Sequence, residues 1–317
     1  MIFGKVKGQK RAASILSGML AAGRIPNALI FTGMEGTGKT IMAVEFAKAL
    51  LCRERRGPAE PPCGLCSDCI ALDQRIHPDV ALVNALYQAT LEEKEPEKQK
   101  SLHVDTIRHV RRDMEMPSLM GGWKIAVVED AHTMEQESAN ALLKILEEPL
   151  PRSMWILLTA RLQLLPKTIP SRCFTVPFLP LPPDAVQAIL EDQGVAAGRA
   201  AELSGLCEGS VSRALELAQG DYPSSLVCGP LAPISAADGL PRENYLARAQ
   251  AETALFALAQ DLRLKHLRGE LPFSRVEHPL RELVRLRQAL RSNADPKTVM
   301  TLACLAGWTA VLFGRSL

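Results

Sequence analysis

Apolar and polar positions along the first two-thirds of the chain fall into two alternating textures. Short apolar runs at Ala28-Leu-Ile-Phe31, Val80-Ala-Leu-Val83, Lys124-Ile-Ala-Val-Val128 and Trp155-Ile-Leu-Leu158 have the length and composition of buried strands. Helical spacing lies between them, as in Thr40–Leu51 and Glu137–Glu147. This alternation predicts an α/β domain with a mainly parallel sheet and helices on its faces. The charged stretch Tyr87–Lys100 reads as a solvated connector.

After Ser171 the texture changes. Pro177, Pro180, Pro182 and Pro183 cannot continue a sheet interior, and short helices follow at Ala185–Gln193 and Val211–Ala218. Residues 220–241 are rich in Pro, Gly and Ser and read as a linker. Glu243–Leu317 is helical in pattern throughout, with apolar positions such as Leu255, Leu258, Leu262 and Leu283, Leu286, Leu290. The expected plan is an α/β domain over 1–173, a small helical domain over 174–219, the linker, and a helical domain over 242–317.

Composition narrows the function classes. With 317 residues, 37 Lys plus Arg against 35 Asp plus Glu, and 47% hydrophobic residues, the chain is globular and nearly neutral. It does not hold nucleic acid by bulk charge, so any such contact is local or shared. Val299–Phe313 is interrupted by Thr, Gly and Trp and reads as a buried helix, not a membrane span. Lys5, Lys7, Lys10 and Arg11 before Ala12–Ala22 faintly imitate a signal peptide, but Ser14, Ser17 and Gly18 break the apolar stretch. A cytoplasmic protein is expected, with no membrane partner. Eight cysteines, four of them clustered, fit a reducing compartment.

Gly33-Met-Glu-Gly36-Thr37-Gly38-Lys39-Thr40 matches G-x-x-x-x-G-K-[ST], with a predicted strand before it and a helix after it. Backbone N–H groups of such a loop cradle phosphates, Lys39 adds charge, and the Thr40 hydroxyl suits Mg²⁺. ATP with Mg²⁺ is the expected ligand. Hydrolysis needs carboxylates at a strand end, and Glu129-Asp130 supplies two. Their order is the reverse of the usual Asp then Glu, so binding is expected and turnover is weak or absent.

Cys52, Cys63, Cys66 and Cys69 offer four thiols at C-x10-C-x2-C-x2-C spacing. A closed four-Cys set favours structural Zn²⁺, with an iron–sulfur cluster second and metal-free surface thiols as the bland alternative. Cys173, Cys207, Cys228 and Cys304 read as small core residues.

Several segments in order resemble one family: Pro26-Asn-Ala-Leu-Ile-Phe-Thr-Gly33, the four-Cys insertion, His77-Pro78-Asp79, Val104-Asp105-Thr-Ile-Arg108, Asp130-Ala131, Asn140-Ala-Leu-Leu-Lys144-Ile-Leu-Glu-Glu148-Pro149 and Ile169-Pro-Ser171-Arg172-Cys173. The chain resembles the bacterial clamp-loader ATPases of the AAA+ class, and within them the delta-prime branch. The resemblance implies an AAA+ P-loop domain on a five-stranded sheet, a helical lid and an all-α collar. It also implies membership of a heteropentamer that places a sliding clamp on primed DNA for the replicative polymerase. The family's Ser-Arg-Cys arginine acts in trans, so Arg172 is implied to be an arginine finger for a neighbouring subunit. Thr159 matches the family's polar sensor, or is a strand-end hydroxyl bonded to backbone.

Two departures set the chain apart from the family's motor subunits. One is Glu129-Asp130. In the other, Gly209-Ser210 is followed by Val211-Ser212 and then Arg213, one place later than the motor's sensing arginine. One residue turns a helical side chain by ~100°. The alternative of a hydrolysing motor subunit therefore stands second. A small-molecule P-loop kinase has no use for the Leu-Glu-Glu-Pro and Ser-Arg-Cys segments. Arg108, Arg111 and Arg112 either meet DNA phosphate or form a solvated helix face.

Overall fold

The computed structural model describes residues 2–96, 99, 101–219, 237–241 and 243–312. The chain divides into two compact units, Met1–Ala185 and Val186–Leu317.

In the first unit, five parallel strands are ordered β2-β3-β4-β1-β5, with β1 Ala28–Thr32, β2 Val80–Val83, β3 Lys124–Val128, β4 Ser153–Thr159 and β5 Phe174–Pro177. All four predicted runs are strands, and β4 extends beyond its run at both ends. The three inner strands β3, β4 and β1 bury both faces, so alternate side chains feed two cores. Leu29, Phe31, Ile125, Val127, Ile156 and Leu158 pack with Leu16 and Leu20 of α1 (Lys10–Ala22) and Met42 and Phe46 of α2 (Lys39–Leu51). Ile30, Ala126, Val128, Trp155 and Leu157 pack on the other side with Ile107 and Val110 of α5 (Val104–Glu115) and Leu142 and Ile145 of α6 (Gln136–Glu147). The N-terminal stretch that imitates a signal peptide is thus α1, with Ala12, Leu16 and Leu20 buried at helical spacing.

Two expectations need correction. The break set at residue 173 falls too early, because β5 pairs with β1 from Leu29↔Phe174 to Thr32↔Pro177. Pro177 is tolerated there because β5 is an edge strand and the proline is its last residue. The solvated connector at Tyr87–Lys100 instead begins as helix α4, Ala85–Glu92. Asn84 caps it by accepting the Tyr87 N–H at 3.0 Å. Fully buried Gln88 donates to the Ser101 carbonyl at 2.9 Å and accepts from the His103 N–H at 2.8 Å. Between α2 and β2 lies the short helix α3, Ser67–Asp73.

The second unit is helical. α7 (Pro183–Asp192) enters it, followed by α8 (Ala197–Leu206), α9 (Val211–Gln219), α10 (Asn244–Leu267), α11 (Phe273–Arg291) and α12 (Pro296–Leu312). Leu255, Leu258, Leu262, Leu283 and Leu290 are buried in its core and Leu286 packs on its edge, following the apolar period of the sequence. The α8–α9 pair and the three long helices group together instead of forming two separate domains. Gln260 of α10 donates to Glu208 at 2.7 Å, and the Arg213 guanidinium stacks 4.7 Å from the centre of the Phe256 ring. Cys207 and Cys304 are buried as expected, Cys173 is half-buried, and Cys228 and most of the expected linker lie outside the described residues.

Candidate functional site

Parallel strands bring all their carboxyl ends to one edge of the sheet, which is where open α/β sheets bind ligands. Gly33 follows β1 there, donating its N–H to Thr159 O at 3.1 Å. A Cβ at Gly33 would lie 2.2 Å from the Phe178 carbonyl oxygen, so only glycine allows this approach. Gly38 caps α2 with a left-handed φ of 90°, which aims the first N–H groups of the helix at the loop. Gly36 is also left-handed, and the Thr37 hydroxyl donates to Met34 O at 2.7 Å. Lys39 Nζ donates to Gly33 O at 2.7 Å and Met34 O at 2.8 Å, so the lysine lies folded over the loop it belongs to. Burial lowers its pKa, against the opposing carboxylates of Glu35 and Asp130. Gln9 fastens the loop from behind, donating to Thr37 O and Leu179 O at 3.2 and 2.6 Å.

The end of β3 faces this loop. Thr40 donates its hydroxyl to Glu129 Oε1 at 2.7 Å, and Asn84, at the end of β2, donates to Glu129 Oε2 at 3.1 Å. The longer side chain of Glu129 thus spans the distance to the loop hydroxyl. Thr40 and Glu129 present the hydroxyl and carboxylate oxygens that a hard cation such as Mg²⁺ takes, beside a phosphate cradle. The donor set fits that ion. Asp130 adopts a left-handed φ of 45°. Its pKa is raised mainly by burial, with Glu35 and Glu129 adding to the rise and His132 and Lys39 opposing it. Buried Thr159 accepts the Arg161 N–H at 3.0 Å and lies 3.3 Å from His132 Nδ1. Its backbone-bonded hydroxyl therefore faces the same edge as Glu129.

Arg172 is elsewhere. It ends a 3-10 turn, Pro170–Arg172, just before β5, and so sits at the amino ends of the strands. Strands of five residues put roughly 17 Å between the two edges. Arg172 Nη2 pairs with Glu147 Oε1 at 2.8 Å, while Nη1 donates to Thr168 O at 3.1 Å and Ser171 Oγ at 3.3 Å. Beside it lie two cavities of about 170 and 280 Å³ that share Ile145 and Trp155 in their walls. Trp155 Nε1 is buried with no hydrogen-bond partner among the described residues.

The four expected metal ligands converge between α2 and α3, with all four Sγ atoms within 4.8 Å of one another. Tetrahedral Zn–S bonds of about 2.3 Å need sulfurs ~3.8 Å apart, and Cys52 and Cys66 Sγ are 3.9 Å apart. Cys63 Sγ accepts N–H groups from Leu65 and Cys66 at 3.4 and 3.3 Å, and these bonds bring its pKa down to about 7. Cys52 Sγ accepts the Cys63 N–H at 3.4 Å. Burial pushes the Cys52 and Cys69 thiols the other way, so Cys63 is the sulfur that the backbone donors favour as thiolate, and four clustered sulfurs suit a borderline-soft ion.

A family model described as DNA polymerase III, delta subunit, matches residues 8–182. The chain belongs to this family. It is 33% identical over 213 residues to DNA polymerase III subunit delta' of Bacillus subtilis, which is 67% of this chain and 60% of that protein. It is 36% identical over 179 residues to the gamma subunit of Buchnera aphidicola, covering 56% of this chain and 44% of that one. With the tau subunit of Escherichia coli the identity is 33% over 54% of this chain and 24% of the relative. The chain thus spans 60% or less of the length of these relatives. Among solved structures, a DNA polymerase III gamma subunit-related protein from Thermotoga maritima superposes with a TM-score of 0.54 at 16% identity, over 94% of this chain and 99% of that one. The fold is that of an AAA+ P-loop domain followed by an all-helical region.

The delta subunit family match takes in both sheet edges and the cysteine insertion. Sequence reasoning missed Gln9, Asn84 and His132, and named Glu147 within the Leu-Glu-Glu-Pro segment without its pairing to Arg172. Asn84 carried a readable signal, an Asn N-cap between an apolar run and a helix. Gln9 and His132 carried none, since their partners are more than 25 residues away. Arg108 and Arg111 pair with Asp105 and Glu115 on α5, as a solvated face does. No helix among the described residues is long and apolar enough to cross a membrane.

Proposed function

We propose that this chain is a subunit of a bacterial clamp loader that binds ATP with Mg²⁺ at its own P-loop and lends Arg172 to the ATP site of a neighbouring subunit. The observation that carries the proposal is the separation of the two groups: Arg172 and the P-loop lie at opposite ends of one sheet. No side-chain motion of an arginine, ~7 Å long, brings it to its own cradle, so a phosphate that meets it comes from another chain. In the binding site, Lys39 turns from the loop carbonyls to the β- and γ-phosphates, and the N–H groups at the start of α2 bond their oxygens. Thr40 and Glu129 would hold Mg²⁺, which neutralises phosphate charge.

The wider reading is a heteropentamer that opens a sliding clamp and places it on primed DNA, with the duplex held jointly by the ring. The relatives named as delta', gamma and tau subunits of DNA polymerase III support it. The four cysteines would hold Zn²⁺ as a structural ion. The identity to gamma and tau subunits keeps a second reading open, that of the hydrolysing motor. Against it stands the Glu129-Asp130 pair, whose second carboxyl is raised in pKa and set on a left-handed turn. Reconstitution with candidate motor and clamp-opening subunits tests both. A pentamer that requires this chain, with ATPase lost on Arg172→Ala, supports the first reading. Vigorous ATPase of the purified chain alone sinks it in favour of the motor.

A further inference from the structure

We infer that Glu147 is a positioning residue for Arg172, holding the guanidinium on this chain until a phosphate of the neighbour's nucleotide displaces it. The inference deepens the trans-arginine reading and rests on it.

The contacts of Arg172 are of two kinds. Thr168 O and Ser171 Oγ lie within four residues of the arginine, in the chain segment that leads into and forms its turn. Glu147 is the last residue of α6 and belongs to a different element, so among these contacts it alone fixes the guanidinium relative to the sheet. Pro149 stops α6 two residues later, which keeps the carboxylate near the carbonyl end of the helix, where a cation is favoured. The pair is also exchangeable. The two side chains are 37% and 50% exposed, so a competing anion can reach them and the pair is weakly bound. A carboxylate and a phosphate engage the same planar fork of N–H donors, and Arg172 Nη2 serves one of them at a time. The Glu147 carboxylate therefore orders the finger in the free subunit and opposes its transfer at the subunit junction.

Glu147→Gln keeps a neutral acceptor of the same length and removes the competing charge. In the isolated chain without nucleotide, NMR of the Arg172 guanidinium is expected to show slowed rotation in the wild type and fast averaging in E147Q. In the reconstituted loader at subsaturating ATP, E147Q is expected to raise ATPase about two- to five-fold, the range of an exposed ion pair. In the Arg172→Ala background the same substitution is expected to change nothing, which a merely structural role for Glu147 does not require. If E147Q matches the wild type or lowers ATPase while R172A lowers it, the positioning role falls and the finger remains. If R172A leaves loader ATPase unchanged, the finger reading falls and takes this inference with it.

Discussion

The two ends of the sheet are built on different logic. At the carboxyl end, Gly33, Lys39, Thr40, Asn84, Glu129 and Thr159 come from four strand ends and satisfy one another within the chain. The result is a cluster of polar groups paired across the strand ends. The amino end carries Arg172, the exposed side chains of Phe174 and Leu150, two open cavities and an indole N–H with no partner among the described residues. Buried polar groups are rarely left without partners unless something else supplies them. One end is therefore satisfied within the chain, and the other leaves exposed apolar side chains and an unpaired buried indole among the described residues.

The comparison breaks most sharply at Arg172 and Lys39. Arg172→Ala is expected to lower ATPase of the assembled loader by ~10³-fold, the scale of an arginine finger, while ATP binding by the isolated chain stays unchanged in calorimetry. Weakened binding in the isolated chain would show that the ends are not independent. Lys39→Ala is expected to do the reverse. ATP affinity of the isolated chain should fall ~100-fold, as when a charge-assisted hydrogen bond is lost, with the fold retained by circular dichroism in the absence of nucleotide. Unchanged affinity would remove the P-loop from nucleotide binding.

The same contrast governs what the sequence made legible. The carboxyl end was readable because its chemistry is local: eight residues from Gly33 to Thr40 carry the glycines, the lysine and the hydroxyl, and a strand and a helix flank them. Its cross-strand half was readable only in outline. Glu129 could be named, but the donation from Asn84, 45 residues earlier, depends on β2 and β3 lying side by side. At the amino end the sequence offered Arg172 and the Leu-Glu-Glu-Pro segment through family resemblance and gave no hint that Glu147 pairs with Arg172, because an ion pair between a helix end and a turn has no spacing rule. β5 was hidden for a different reason. Its terminal Pro177 argues against a strand interior, and only the edge position makes it acceptable. Tyr87–Glu92 was hidden by the charged run that follows it, and buried Gln88 is what ties this helix to the segment before α5.

The cysteine insertion belongs to neither end, and it tests whether a third region stands apart from both. Elemental analysis is expected to find about one zinc per chain. Removing the ion, by chelation or by Cys63→Ser, is expected to lower the melting temperature by roughly 5–10 °C, because a set of thiols around an ion contributes folding energy directly. ATP affinity should change little, since the ligands follow α2 while the cradle precedes it. A metal-free protein with an unchanged melting temperature would assign the thiols to the surface.

The smallest expected effect lies at Asp79, just before β2 at the amino end. Its buried carboxylate accepts the N–H groups of Leu119 and Met120 at 2.8 and 2.9 Å and the Ser118 hydroxyl at 2.8 Å. Burial by itself raises its pKa, but the three donors outweigh burial and hold it below the ordinary carboxylate value. A group whose folded pKa is depressed adds stability above its unfolded pKa of ~3.9 and loses it as pH falls through the folded value. Asp79→Asn should therefore cost about 2 kcal/mol at pH 7, the scale of hydrogen bonds to a charged group. The difference from wild type should shrink as urea titrations move from pH 5 toward pH 3. ATP affinity at pH 7 should not change, because the loop that Asp79 anchors leads into the amino end of β3, away from Glu129. A stability difference that persists undiminished in acid would mean that Asp79 acts through shape and not through its charge.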